Sequence, residues 1–140
     1  MKKAVVGLVI TGMVLGVLAL TLLAAEEGMP KGAKTAAKGE QVTLTGRLSC
    51  TFCGLAHPEK PCPKDCCVNC MKAGDPPLLI DAGGNLYILL TGEHEVPLMT
   101  PARMELAGQT VAVKGLLVKG KGVQAVYVDS MDKAPEAKAQ

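Results

Sequence analysis

From Gln41 to Ser49 apolar and polar residues alternate. Val42, Leu44, Gly46 and Leu48 fall on one side, and Thr43, Thr45, Arg47 and Ser49 on the other. A period of two is that of a half-buried strand, and this one would deliver Cys50 at its end. Three prolines and a glycine between Thr51 and Lys64 predict a stretch that is mostly loop. Asp65 to Ala73 is predicted as a short helix, with Pro63 before it, Asp65 in its first turn, Lys72 in its last and Gly74 as terminator. Leu78–Asp81 and Leu86–Leu90 read as strands joined by the turn Ala82-Gly83-Gly84-Asn85. Thr91 to Pro101 is irregular, and Ala102–Leu106 is predicted as one short helix. Gln109–Val118, interrupted by Gly115, and Val123–Val128 are the last strands, joined by the turn Lys119-Gly120-Lys121-Gly122.

Five short strands with one inserted helix predict a mainly β protein: a small, partly open antiparallel barrel of OB type, carrying a cysteine-rich loop–helix insert at residues 50–74. Glycines inside strands, at 46 and 115, suit strands that bend sharply around such a barrel. The barrel domain is expected over residues 41–131.

The N-terminal pattern is different. Met1-Lys2-Lys3 precedes an uncharged run from Ala4 to Ala25. This is the charge pattern of an export signal, and the run is long enough to cross a bilayer as a helix. Residues 1–25 are therefore expected to be an apolar helix that acts as a signal peptide or as a membrane anchor. Either would place the domain outside the cytoplasm, in the periplasm or on the extracytoplasmic face of the inner membrane. Residues 26–40, rich in Gly, Ala, Lys and Pro, read as a flexible linker. Residues 132–140 read as a disordered tail.

The formal net charge of +2 in 140 residues changes little. Setting aside Lys2 and Lys3 leaves 13 basic against 13 acidic residues, with no basic run and only Phe52, Tyr87 and Tyr127 as aromatics. Nucleic-acid binding calls for a basic stripe and stacking rings, so no nucleic-acid partner is expected. No Ser/His/Asp set, paired catalytic carboxylates or phosphate-cradling glycine loop is present, and the chain is read as non-enzymatic.

All six cysteines lie in the insert, at positions 50, 53, 62, 66, 67 and 70. Cys50-x2-Cys53 and Cys67-x2-Cys70, with residues 54–66 between them, come close to the two-knuckle spacing of a four-cysteine zinc site. The primary metal set is thus Cys50, Cys53, Cys67 and Cys70, with Cys62, Cys66 and His57 as alternates and Zn2+ as the expected ion. Thiolates equally suit copper(I) or an iron–sulfur cluster. Export and an even cysteine count support a rival reading, a disulfide-stapled structural module that meets a protein partner in the cell envelope. A thiol redox carrier is a third. His94, between Glu93 and Glu95, reads as a solvated loop residue.

The segment from Val42 to Met131 resembles a group of small exported bacterial OB-fold proteins of unknown function. The resemblance rests on a first strand ending in Cys50 and on the Cys-x3-Cys-[Ile/Met]-x2-Gly-x-Pro pattern at Cys66, Cys70, Met71, Gly74 and Pro76. Gly84-Asn85-Leu86-Tyr87-Ile88-Leu89 and Ala107-Gly108-Gln109-Thr110-Val111-Ala112-Val113-Lys114-Gly115 extend it. It implies an OB barrel and a ligand set of Cys50, Cys62, Cys66 and Cys70, with Cys62 standing where such proteins often have a histidine. Cys53 and Cys67 are additional here. The resemblance implies no activity.

Overall fold

The computed structural model describes residue 34 and residues 37–135. The N-terminal apolar segment, most of the linker and the last five residues lie outside the described residues. Among those described, no helix is long and apolar enough to cross a membrane.

Strand β1 (Glu40–Cys50) leads into helix α1 (Thr51–Ala56) and helix α2 (Lys64–Ala73). Then follow β2 (Pro77–Asp81), β3 (Leu86–Thr91), the single-turn helix α3 (Pro101–Met104), β4 (Thr110–Lys119) and β5 (Gln124–Lys133). The strands close a barrel in the order β1-β2-β3-β5-β4, with β4 returning to β1. This is the OB-like barrel the alternation predicts, with two differences. It is closed rather than partly open, and it is not wholly antiparallel, because β3 and β5 run parallel from Ile88↔Ala125 to Thr91↔Val128. The long connection through α3 and β4 carries the chain back to the same end before β5 begins, which a parallel pair requires.

β1 serves both halves of the barrel. Residues 40–47 pair with β4 and residues 46–50 with β2, so Gly46 faces both Val111 and Asp81 where the strand changes partner. A Cβ at Gly46 would stand 2.5 Å from the Ile80 carbonyl oxygen. A second irregularity, a register shift between Lys114 and Gly115, bends β4 against β5. Inside the barrel Leu48, Leu79, Leu89, Val111, Val113 and Val126 are fully buried. Cys50, Cys62, Cys67 and Met71 join the same apolar cluster, so the insert closes one end of the barrel core.

Beyond shifts of one or two residues at element ends, as where the helix expected at Ala102–Leu106 forms at Pro101–Met104, three features differ from the sequence reading. Thr51–Ala56, expected as loop, is helical. Its start is capped by the Cys50 side chain, and Pro58, Pro61 and Pro63 all lie beyond its end. β5 continues through Lys133, and Ala134 is buried with its N–H on the Thr110 carbonyl at 3.0 Å. The ordered barrel thus runs past the expected boundary at residue 131. Its alternation (buried Val126, Val128 and Met131) is interrupted in the sequence by Asp129-Ser130, which hid the continuation. Lastly, Lys34, expected in the linker, forms an isolated antiparallel bridge with Glu93.

Candidate metal centre

β1 ends by carrying Cys50 to the mouth of the barrel, where it is fully buried. Its backbone is extended and its sulfur accepts from the Cys53 N–H at 3.5 Å, in the position of a helix N-cap. This contact turns the chain into α1 and sets Cys53 beside Cys50. Gly54 packs that turn tightly on β2, since a Cβ there would lie 2.6 Å from Leu78 Cδ2.

Cys62 sits between Pro61 and Pro63. Pro63 excludes it from the helical region, so it lies in the extended approach to α2. α2 starts at once behind Pro63, whose carbonyl accepts from Cys67 N at 2.9 Å. It stops at Gly74, which takes the left-handed conformation (φ 110°) and returns its N–H to Met71, while Asp75 N reaches the Cys70 carbonyl. Cys67 and Met71, four residues apart, share the buried face. Cys70 is half-buried and Cys66 exposed.

The six sulfurs meet in three sets. Cys50, Cys53 and Cys70 form one, Cys50, Cys62 and Cys67 a second, and Cys53, Cys62 and Cys66 a third. Within each set all sulfurs lie within 4.8 Å of one another. The Cys53 and Cys66 sulfurs are 3.8 Å apart. All six cysteines are free, and the disulfide-stapled alternative finds no bonded pair here.

Of the primary set, Cys50, Cys53 and Cys70 come together, while Cys67 groups with Cys50 and Cys62. Both sulfur alternates, Cys62 and Cys66, belong to the cluster. His57 joins none of the three sets. It is exposed at the end of α1, where its N–H binds the Cys53 carbonyl at 2.9 Å. His94 is also exposed and outside the sets.

Four of these thiols are held in the protonated form by burial and by their sulfur neighbours. Cys53 is pushed up to about 12, first through its hydrogen bond with Cys62 and then by burial. Burial leads for Cys62 and Cys67, which also reach about 12, although the hydrogen bond with Cys62, and after it the Gly108 N–H, pull Cys67 the other way. Cys70 reaches about 12 foremost through its contact with Cys50. A bound cation reverses that preference, because it replaces the protons and turns mutual repulsion into shared attraction.

Two supporting features were not singled out from sequence. Cys50 acts as a cap as well as a ligand candidate, which its place just before a C-x-x-C turn could have signalled. Gly108 (φ 76°) lies against the Cys62–Lys64 backbone. The Ala-Gly step before β4 was visible, but not its neighbour. Comparison with family models, curated proteins and solved structures finds no match to this chain, so the thiol cluster and the barrel beneath it are the grounds for a functional reading.

Proposed function

We propose that this chain is an exported, non-enzymatic metal-binding domain, in which a cysteine-rich insert on an OB-like barrel holds thiophilic d10 ions of the zinc or copper(I) class. The observation that carries the reading is that all six cysteine sulfurs fall into three interlocking sets of three. Thiolate donors select soft ions and not magnesium or calcium. Burial of Cys50, Cys62 and Cys67 in the barrel's own apolar cluster supports a site built into the fold, since metal binding there is coupled to core packing. Export rests on the Lys2-Lys3 and Ala4–Ala25 pattern.

The test is the intact mass of the full-length protein, produced with its own N-terminus and kept reduced, under native and then denaturing conditions. Stoichiometric metal that leaves on denaturation supports the reading. Substoichiometric metal after exposure to zinc and to copper(I) overturns it. The denaturing spectrum also reports whether residues 1–25 remain.

A further inference from the structure

Resting on the metal-binding reading, we propose that the six thiolates hold four copper(I) ions as one cage, with each ion bonded to three sulfurs and each sulfur shared by two ions. The three sets overlap pairwise, one sulfur at a time. The first two share only Cys50, the first and third only Cys53, and the second and third only Cys62. Cys50, Cys53 and Cys62 are therefore also within 4.8 Å of one another, and three triangles built on the corners of a fourth match alternate faces of an octahedron around one vacant face. With three such faces occupied, the fourth is determined: it must be Cys66, Cys67 and Cys70, the cysteines used once each. The opposite corners are then Cys50 and Cys66, Cys53 and Cys67, and Cys62 and Cys70. No set contains any of these pairs.

The fourth face comes from a single turn of α2. Cys70 is three residues from Cys67 and four from Cys66, the spacings that make helical neighbours. The other three faces are assembled by the barrel: Cys50 and Cys53 by β1 and α1, and Cys62 by its two prolines.

The pattern chooses among thiophilic ions. Zinc takes four ligands, and two zinc ions sharing six cysteines would need two sets of four with two sulfurs in common. Each set seats one three-coordinate ion as it stands, whereas a four-coordinate ion would have to draw in a fourth sulfur from outside its set. A [4Fe–4S] cluster brings its own sulfide and uses four cysteines, leaving two of the crowded six idle. Copper(I) is soft, thiophilic and content with three sulfurs in a plane. If each ion lies in its sulfur triangle at a bond length close to the zinc–sulfur value of about 2.3 Å, the octahedron edge is about 4.0 Å and ions on alternate faces are about 2.7 Å apart. The Cys53–Cys66 separation of 3.8 Å already approaches that edge.

Loading involves no redox step. Six S–H bonds break, six protons leave to solvent, and twelve copper–sulfur bonds form, leaving a cage of charge 2−. The copper must arrive as copper(I). The exposed Cys66 and half-buried Cys53 and Cys70 give the entry side, and Cys50, Cys62 and Cys67 the buried side.

The experiment is an anaerobic titration of the reduced full-length chain with copper(I) supplied as its acetonitrile complex, read by native mass spectrometry and X-ray absorption. The expected result is a four-copper species that dominates while metal-free chain is still present. Its copper should be three-coordinate to sulfur, with a copper–copper vector near 2.7 Å from the geometry above. One ion per chain, or several with no short copper–copper vector, overturns the cage but leaves the metal-binding reading standing. No uptake of copper(I) or zinc overturns both. Cys66→Ser supplies the second readout, because it removes an exposed thiol and should leave the fold intact. In the cage that sulfur serves two ions, so the four-copper species should vanish; its persistence overturns the proposal.

Discussion

The carbonyl oxygen of Cys62 stands where a side chain on Gly108 would have to go: a Cβ there would lie 2.9 Å from it. Gly108 holds φ 76° and gives its N–H to the Leu48 carbonyl at 2.9 Å. One residue thus ties the loop before β4 to β1 while leaving room for Cys62 to approach. Gly108→Ala combines a left-handed backbone with a backbone clash. It should cost about 1–3 kcal/mol of stability, read from the urea midpoint of the metal-stripped protein, and should weaken metal uptake as well. An unchanged midpoint would show that the contact is not needed.

Cys50 has two roles that substitution can separate. Cys50→Ser keeps an acceptor for the Cys53 N–H but removes the soft ligand. The metal-stripped fold should therefore survive while native mass spectrometry shows metal loading lost. Cys50→Ala removes both, and should lower stability by about 0.5–2 kcal/mol through loss of the cap alone. Equal stability of the two variants would refute the capping role.

The raised thiols make a prediction about alkaline pH. The fold favours the protonated form of Cys53, Cys62, Cys67 and Cys70, each near 12 against an ordinary 9.0. Below 9.0 both folded and unfolded chains keep these protons, so the contribution is fully present. Between 9.0 and about 12 only the unfolded chain gives them up, and the contribution is lost as pH rises. Urea midpoints of the metal-stripped protein in chelator and reductant should hold up to about pH 9 and fall from there to about pH 10.5. A flat profile would contradict the crowding of these thiols.

Asp81 organises the β2–β3 turn. Its Oδ1 accepts from Gly83 N and Asn85 N, both at 2.8 Å, and its Oδ2 from Asn85 Nδ2 at 2.9 Å and the Tyr87 hydroxyl at 3.2 Å. These donors, Asn85 first, hold its carboxyl below the ordinary 3.8. Its stabilisation is present above that value and lost as pH falls through the lowered one. Asp81→Ala should cost about 1–2 kcal/mol in thermal or urea unfolding at pH 7 and narrow its gap to the native chain in strong acid. Metal stoichiometry should not change.

Much of the barrel was legible one strand at a time. Val42, Leu44 and Leu48, then Leu78 to Ile80, then Val111 and Val113, announce strands through local alternation or apolar runs, and α2 announces its ends through Asp65, Lys72 and Gly74. α1 was not legible. Its cap is a cysteine, a poor signal beside the serine or aspartate usual at that position. The end of β5 was hidden because Met131 and Ala134 resume the buried side only after an interruption.

The candidate site divides along the same line. Clustering of six thiols in residues 50–70 is a property of the chain, because their spacing brings them to one end of one strand whatever the barrel does next. Which thiols become neighbours is not. The C-x-x-C spacing pairs Cys50 with Cys53 and Cys67 with Cys70, but the folded chain breaks the second pair: Cys70 joins Cys50 and Cys53, and Cys67 turns toward Cys62. Helix α2 has one face against the barrel, and that contact, absent from any local pattern, sets its rotation and buries Cys67 with Met71. The parallel pairing of β3 with β5 was likewise invisible along the chain. Alternation reports which side of a strand is apolar but carries no information about its direction or its partner, and only closure of the barrel supplies both.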